Sequence, residues 1–302
     1  MGHRHAPPQS VLHAFNIHDP LEPMPGGRGL CFLAGDIVLR PVDHRAETEW
    51  VSGMLLQLSK LEHADLNYRI ARPLVTGHSS ISPLPNQFIS HGWSASSFVS
   101  GQPGPEEHWA QILTTSRAFH HDLKSLVPTP PAFLSLKTDR WAEADRVTWD
   151  EKRLEDVPDV NHSVLTLLRP SLARLVALKK PLPPDALESQ LVHGDLTGNV
   201  LFEDDLAPAI IDLSPMWRPV EFAEAVVVSD GLTNHGQGVE LIHLYGTDEL
   251  RLQILLRALY WRLVTFAIQT DIPWMEMHFP GMDFEGAVEL VCEAVKGAEA
   301  KG

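Results

Sequence analysis

The sequence predicts an α+β protein whose N-terminal part is rich in short strands and whose C-terminal part is mostly helical. Up to about residue 95, short apolar runs alternate with glycine, proline and polar turn residues, which is typical of strands joined by turns. From Glu106 onward, apolar residues recur at helical spacing over long segments, which is typical of amphipathic helices. Within that helical part, residues 191–212 return to short apolar runs and predict two further strands.

Composition and charge argue against several classes of protein. The chain has 302 residues and a formal charge of −15, so nucleic acid and anionic membranes are not expected as partners. Its two cysteines, Cys31 and Cys292, belong to no Cys-x-x-Cys motif, which favours a reducing cytoplasm over a disulfide scaffold or zinc ribbon. The polar first ten residues predict no signal peptide. The apolar segment Leu250–Ile268 contains three arginines, so we expect a core helix there and not a membrane span.

The N-terminal elements follow one another with short connections. In order, we expect a strand at 11–15, a glycine-rich loop at 23–29, a hairpin of 30–33 and 37–39, a helix at 45–61, and strands at 69–75 and 87–91 completing an antiparallel sheet. The segment Gly92–Ala95 is predicted to connect the two parts of the chain. Gly26, Gly27 and Gly29 would let backbone amides approach a phosphate, although an ordinary flexible turn has the same composition.

The C-terminal part is predicted to be helical around one exceptional stretch. In order, we expect helices at 106–126, 162–178, 221–228, and from about residues 238, 249 and 284. Residues 132–160 carry mixed charge and two tryptophans. They are either an insertion over a substrate site or a solvated crossing between helices.

The exceptional stretch is Leu191–Asp212, whose polar residues match the needs of phosphoryl transfer. Asp195 and Asn199 lie four residues apart in a loop, and Asp212 follows the second strand. Phosphoryl transfer requires one carboxylate to accept the proton of the attacking hydroxyl, and an amide and a second carboxylate to hold magnesium. A plain β-hairpin with turn hydrogen bonds is one alternative. A metallophosphoesterase is another, but no Asp-x-His occurs before residue 195.

The motif HGDLTGN followed by IID resembles the catalytic and metal-binding motifs of the aminoglycoside phosphotransferase and choline kinase superfamily, which is related to the protein kinases. The resemblance implies a bilobal kinase-like fold, with an N-lobe at 1–95 that binds nucleotide phosphates and a C-lobe at 96–302 that holds the catalytic loop and acceptor site. It implies that Asp195 is the catalytic base, that Asn199 and Asp212 bind Mg²⁺, and that His193 structures the loop.

The same resemblance assigns nucleotide-binding roles in the N-lobe. Arg40, at the end of the strand DIVLR, would contact the phosphates of ATP. Glu47 lies on the apolar stripe of the following helix, where a carboxylate needs a cationic partner, so it is preferred over Glu49 as the residue that pairs with Arg40. Trp93 either lines the adenine site or belongs to the core.

The implied function is ATP-dependent phosphorylation of a hydroxyl on a small molecule, with ATP and Mg²⁺ as cofactors. The alternative is a non-catalytic, nucleotide-binding regulatory module on the same fold. Four residues suit a polyhydroxylated or cationic acceptor through hydrogen bonds, stacking or cation–π contacts: Trp141, Asp145, Trp217 and Asp230. The identity of the acceptor, the choice between ATP and GTP, and the oligomeric state do not follow from the sequence.

Overall fold

The computed structural model describes residues 6–25, 29–61, 67–77, 88–183 and 188–300. The chain divides into two compact units, one of Met1–Pro103 with Leu201–Leu213, and one of Gly104–Val200 with Ser214–Gly302. The hairpin after the candidate catalytic loop therefore belongs to the first unit, although it lies far along the chain.

The secondary structure of the described residues is mixed. The strands are β1 (Glu22–Pro23), β2 (Phe32–Ala34), β3 (Ile37–Pro41), β4 (Arg69–Ile70), β5 (Ile89–Ser90), β6 (Trp93–Ser97), β7 (Gln102–Pro103), β8 (Ser189–His193), β9 (Val200–Phe202), β10 (Ala209–Ile210) and β11 (Pro215–Pro219). The helices are α1 (Gln9–Ala14), α2 (Arg45–Leu58), α3 (Trp109–Leu126), α4 (Arg140–Thr148), α5 (His162–Leu178), α6 (Val220–Asn234), α7 (Val239–Tyr245), α8 (Glu249–Ala267), α9 (Ile272–His278) and α10 (Phe284–Glu299). No described helix has the length and apolar character needed to cross a membrane.

The first unit is built on an antiparallel sheet of strand order β1-β2-β3-β6-β5. The predicted hairpin is confirmed as β2 and β3, joined at Gly35 with φ +59°. The segment predicted as a strand at 11–15 is instead helix α1. Its Val11 and Phe15 are four residues apart and both enter the core beside Phe32 and Leu39, so the helical period decides this segment.

Other expectations for the first unit need correction. Residues 69–75 join the antiparallel sheet only in part, because Pro73 forms an antiparallel bridge to Ser96 of β6, whereas β4 pairs in parallel with β10 in a separate sheet of order β4-β10-β9-β7. The segment expected to connect the two parts of the chain lies at the start of β6, which is paired on both sides by β3 and β5. Helix α2 ends at Leu58, three residues earlier than expected.

The second unit is organised around helix α8, which packs against α4, α5, α6 and α10. Nearly every side chain of α8 is buried, which confirms the core helix predicted for this segment. Helix α4 lies within residues 132–160, which the sequence predicted to be either an insertion over a substrate site or a crossing between helices. Asp139 caps this helix by accepting hydrogen bonds from the amides of Trp141 and Ala142.

The candidate catalytic loop begins at the end of a two-stranded sheet in the second unit. Strand β8 pairs with β11 in antiparallel register, with His193 opposite Pro215 and Ser189 opposite Pro219. Strand β11 was not predicted, since prolines at both ends resemble a loop. They are tolerated because β11 has a partner on one side only.

Candidate functional site

Asp195 lies in the short loop between β8 and β9, and this loop is held by local hydrogen bonds. The amide of Asp195 donates to Nδ1 of His193 at 3.1 Å. The side-chain nitrogen of Asn199 donates to the carbonyl oxygen of Asp195 at 2.6 Å and lies 3.4 Å from Oδ2 of its carboxylate. The Asp195 side chain remains 45% exposed, so its carboxylate is accessible while its backbone is fixed.

Two buried histidines support this loop from below. The amide of His193 donates to Nε2 of His120 at 2.9 Å, and Nδ1 of His120 lies 3.1 Å from the hydroxyl of Ser116. Burial, with the nearby His193, lowers the pKa of His120 to about 3, so its ring is neutral and Nε2 can accept. His193 therefore has the loop-structuring geometry that the resemblance implied, and His120 is a core histidine.

Two glycines allow the loop to take this path. Gly194 lies against Met216 of β11 so closely that a Cβ would clash with the Met216 sulfur. Gly198 has φ +83°, a conformation that residues with a side chain rarely adopt. The loop is thus packed tightly onto β11 at one end and turned sharply at the other.

A buried arginine lies behind Asp195. Nη2 of Arg262, on α8, is 3.6 Å from Oδ1 of Asp195 and 2.6 Å from Oδ2 of Asp230, on α6. Burial lowers the pKa of Arg262, but the Asp230 and Asp195 carboxylates outweigh it, and the pKa is raised. Burial raises the pKa of Asp230, and Arg262 opposes this shift. Sequence analysis assigned Arg262 no role in the site. A charged residue on an otherwise apolar helix was the only feature of the sequence that could have identified it.

In the first unit, the structure brings Arg40 and Asp212 together. Nη1 of Arg40 donates to Oδ1 of Asp212 at 2.7 Å, with the two side chains 53% and 57% exposed. Asp212 has φ +49°, an uncommon backbone conformation for a residue with a side chain, and such strain is concentrated at functional sites. Glu47 lies half-buried in the first turn of α2. The premise of a buried Arg40–Glu47 pair is wrong, since Arg40 is exposed and its described ion pair is with Asp212.

The predicted nucleotide-binding residues of the N-lobe have different outcomes. Gly26 and Gly27 lie outside the described residues, and Gly29 has φ +65°, which suits the predicted turn. Trp93 packs edge-on against Phe32 with ring centroids 6.1 Å apart and lies against the core of the first unit. Its side chain is therefore partly buried against the core, and its role at the adenine site stays a prediction.

The predicted acceptor residues separate into two groups. Asp145 is held by Arg218, whose Nε and Nη2 donate to its carboxylate at 2.9 and 2.6 Å, and Trp217 is half-buried in β11. Trp141, by contrast, lies with its ring centroid 5.6 Å from the guanidinium carbon of Arg262. Trp141 and Asp230 therefore both contact Arg262, which lies beside Asp195. Asp145 instead forms an ion pair between α4 and β11.

The donor set suits a metal that is held mainly by phosphates. In the described part of the chain, no group of three or more His, Cys, Asp and Glu side chains is placed to hold a metal ion. Magnesium on a nucleotide needs only one or two protein ligands besides phosphate oxygens and water. Asp212 offers an exposed carboxylate. Asn199 has its side-chain nitrogen engaged on Asp195, which leaves its oxygen as the free ligand atom.

Comparisons with solved structures show the fold. An aminoglycoside phosphotransferase from Alicyclobacillus acidocaldarius is 19% identical, with 99% of this chain and 97% of that chain covered and a TM-score of 0.56. Spectinomycin phosphotransferase, solved with ADP and spectinomycin, is 18% identical over 96% and 92%, with a TM-score of 0.52. A microcompartment-associated aminopropanol kinase is 11% identical over 96% and 93%, with a TM-score of 0.52.

The chain thus has the α+β, protein-kinase-like fold of these phosphotransferases, with a small antiparallel sheet in the first unit and a mostly helical second unit. This confirms the fold class predicted from the motif. No protein-family model matches the chain. No curated protein matches it either.

Proposed function

We propose that this protein transfers the terminal phosphoryl group of ATP to a hydroxyl of a small molecule. The observation that carries the proposal is the Asp195–Asn199 loop, in which His193 and the Asn199 side chain hold the backbone of Asp195 while its carboxylate stays exposed. Phosphoryl transfer depends on positioning and electrostatics more than on covalent chemistry, and this loop provides positioning. The fold shared with phosphotransferases supports the same reaction class.

Asp195 acts on the acceptor. Its carboxylate orients the attacking hydroxyl and takes its proton as the new phosphate–oxygen bond forms and the bond to the leaving ADP breaks. His193 and His120 hold the loop through the hydrogen bonds that their ring nitrogens accept. The hydrogen bond from the Asp195 amide to His193 holds the backbone of this residue in place.

Arg40, Asn199 and Asp212 act on the nucleotide. Arg40 binds phosphate oxygens through its planar guanidinium, and Asn199 and Asp212 supply the protein oxygens for magnesium. Bound magnesium would neutralise the negative charge that develops on the phosphates. Gly26, Gly27 and Gly29 contribute backbone amides to the phosphates.

The acceptor we propose is a neutral polyhydroxylated molecule. The two acids that the sequence suggested for a cationic acceptor, Asp145 and Asp230, are each paired with an arginine, the mostly buried Arg218 and the buried Arg262. A polycation would have to compete with these internal cations. Trp141, which is 38% exposed, offers an aromatic surface to a sugar ring near Arg262.

A screen of the purified protein tests this function. Nucleotide binding comes first, because ATP and magnesium at tenfold excess over Kd should stabilise the fold by about 1.4 kcal/mol. ADP release is then measured with ATP, magnesium and a panel of neutral sugars and polyols, amino alcohols and aminoglycosides. We expect ADP release that depends on one of the neutral sugars or polyols. Nucleotide binding without turnover of any acceptor would establish the regulatory module instead.

A further inference from the structure

Arg262 joins a buried acid to the exposed candidate base. Its side chain is 8% exposed, that of Asp230 is 4% exposed, and that of Asp195 is 45% exposed. One nitrogen, Nη2, lies near a carboxylate oxygen of both acids, at 2.6 Å from Asp230 and 3.6 Å from Asp195. The guanidinium therefore spans the distance from the core of the second unit to the catalytic loop.

The geometry of this arginine differs from that of the structural ion pairs elsewhere in the same unit. Arg218 places both Nε and Nη2 on Asp145, and Arg117 places both on Glu224, which is the strong two-point arrangement. Arg262 gives Asp230 a single hydrogen bond. Arg262 thus leaves the second possible contact with Asp230 unused.

Buried polar atoms remain without hydrogen bonds at this arginine. Nε of Arg262 and Oδ1 of Asp230 are both buried and have no hydrogen-bond partner. The hydroxyl of Thr197, a loop residue close to Asp230, is also buried without a hydrogen bond of normal geometry. Each such group costs free energy, and the offset of the guanidinium toward Asp195 accounts for the unused contact.

The surroundings keep the guanidinium charged and in place. The rings of Trp261 and Trp141 lie 4.8 and 5.6 Å from its central carbon, within the range of cation–π attraction. Arg140 is a further cation near Arg262, and the negative charges of Asp271 and Asp139 partly offset the repulsion between the two arginines. A charged group with two carboxylates and two aromatic rings around it has little freedom to turn.

We infer that Arg262 is a positioning residue for phosphoryl transfer, which fixes the plane of the Asp195 carboxylate while Asp230 anchors Arg262 in the core. This inference rests on the proposed function. Nη2 of Arg262 lies 3.6 Å from Oδ1 of Asp195, and the side-chain nitrogen of Asn199 lies 3.4 Å from Oδ2, so a cation and an amide flank the carboxylate on its two sides. Arg262 keeps its protons throughout, and the proton of the acceptor hydroxyl goes to Asp195.

The test replaces the pair by neutral groups of similar shape, Arg262→Gln with Asp230→Asn, so that no buried charge is left alone. With an acceptor found in the screen, kcat should fall about 10²-fold, as a small misplacement of a reacting group can cost, while KM for ATP stays unchanged. The matched control is Arg257→Gln, because Arg257 is equally buried on α8 but donates to the carbonyls of Gln253 and Lys180. It should keep the wild-type kcat.

A cycle with Asp195→Asn separates positioning from structure. If Arg262 acts through Asp195, the paired substitution lowers kcat no further in the Asp195→Asn background. An equal loss in both backgrounds, or a wild-type kcat in the paired variant, would overturn the inference.

A second variant keeps the test open if the paired variant does not fold. Arg262→Lys retains the charge but not the planar fork, so its loss in kcat should again disappear in the Asp195→Asn background. A wild-type kcat in Arg262→Lys would then overturn the inference alone. A wild-type protein without any phosphotransfer would overturn the proposed function and this inference together.

Discussion

Arg40 donates a hydrogen bond of 2.7 Å to Asp212, which lies 172 residues later in the chain. The pair forms inside the first unit, because the hairpin that carries Asp212 belongs to that unit. Arg40 is the proposed phosphate-binding group and Asp212 the proposed magnesium-binding group. One ion pair therefore joins the cation proposed to bind the phosphates to the carboxylate proposed to bind the magnesium.

The exposure of this pair separates its effect on binding from its effect on stability. Both side chains are more than half exposed, so Arg40→Gln should lower the free energy of unfolding by less than about 1 kcal/mol. Loss of a charged hydrogen bond to phosphate should weaken ATP–magnesium binding by about 1.5–3 kcal/mol. Calorimetric titration with ATP and magnesium, and urea unfolding, measure the two quantities.

The control for Arg40→Gln is Arg45→Gln, which removes an exposed arginine paired with Glu49 on α2. Both variants lose one positive charge, so a general electrostatic effect would appear in both. Only Arg40→Gln should weaken nucleotide binding. Equal ATP affinities of the two variants and the wild type would remove Arg40 from the site.

A second prediction concerns Asp145, for which the sequence suggested a role in acceptor binding. Its carboxylate is mostly buried and receives both donors of Arg218. Asp145→Asn should therefore lower the free energy of unfolding by about 3–5 kcal/mol, since Arg218 loses a buried partner. Thermal or urea unfolding measures this loss, and KM for the acceptor should stay unchanged.

Glu151 provides the matched control, because it binds the same arginine from a half-exposed position. Glu151→Gln should cost less than about 1 kcal/mol. A raised acceptor KM in Asp145→Asn, with stability preserved, would instead support the role suggested by the sequence.

The candidate catalytic loop could be proposed from the sequence because its residues lie close together in the chain. Asp195 and Asn199 are four residues apart and bounded by apolar strands, so spacing and residue type identify them together. The strands β9 and β10 also follow from short apolar runs between turn residues. Helix α8 was predictable for a similar reason, because a long apolar segment with isolated arginines is expected to be buried in the core.

Partner choice over long distances could not be predicted in the same way. Glu47 was the nearest acid on an apolar stripe, but the ion pair described for Arg40 is with Asp212. Asp212 follows β10, and the pairing of β10 within the sheet β4-β10-β9-β7 joins segments that are far apart in the chain. Arg262 and Asp230 come from different helices. Helix α4 was obscured because Glu143, with Arg146 and Lys152, forms a buried ion cluster that resembles a solvated surface in sequence.

A third prediction follows from the neutral histidine beneath the loop. Burial lowers the pKa of His120 from its ordinary 6.5 to about 3. Below pH 6.5 the unfolded chain binds a proton here that the folded chain does not, so falling pH favours unfolding. Between pH 7 and pH 5 this group alone should remove about 2 kcal/mol of stability.

Two single substitutions isolate the contribution of His120. His120→Gln keeps an oxygen that can accept from the His193 amide, and its stability should depend less on pH by about that same 2 kcal/mol. His121 is the exposed neighbour, so His121→Gln should retain the full pH dependence of the wild type. Urea unfolding of the three proteins at both pH values measures the difference, and identical slopes would show that His120 titrates normally.

The last prediction separates the enzyme from a regulatory module through Asp195 and Asp212. Asp195→Asn keeps size and polarity but removes the base, so turnover should fall by about 10²–10⁴. ATP–magnesium binding should remain nearly intact, because the Asp195 carboxylate faces Arg262 and Asn199 in the second unit. Asp212→Asn removes the charge of a metal ligand and should impair both turnover and the magnesium-dependent part of nucleotide affinity.

The two variants should therefore agree in lost activity and differ in binding, which steady-state kinetics and titration with and without magnesium can show. Asp204→Asn is a suitable control, because Asp204 is an exposed acid in the turn after β9 and no catalytic role is assigned to it. Full turnover in Asp195→Asn would mean that Asp195 is not the base. Equal loss of nucleotide affinity in both variants would place Asp195 on the metal, because only a ligand of the nucleotide–magnesium complex responds in that way.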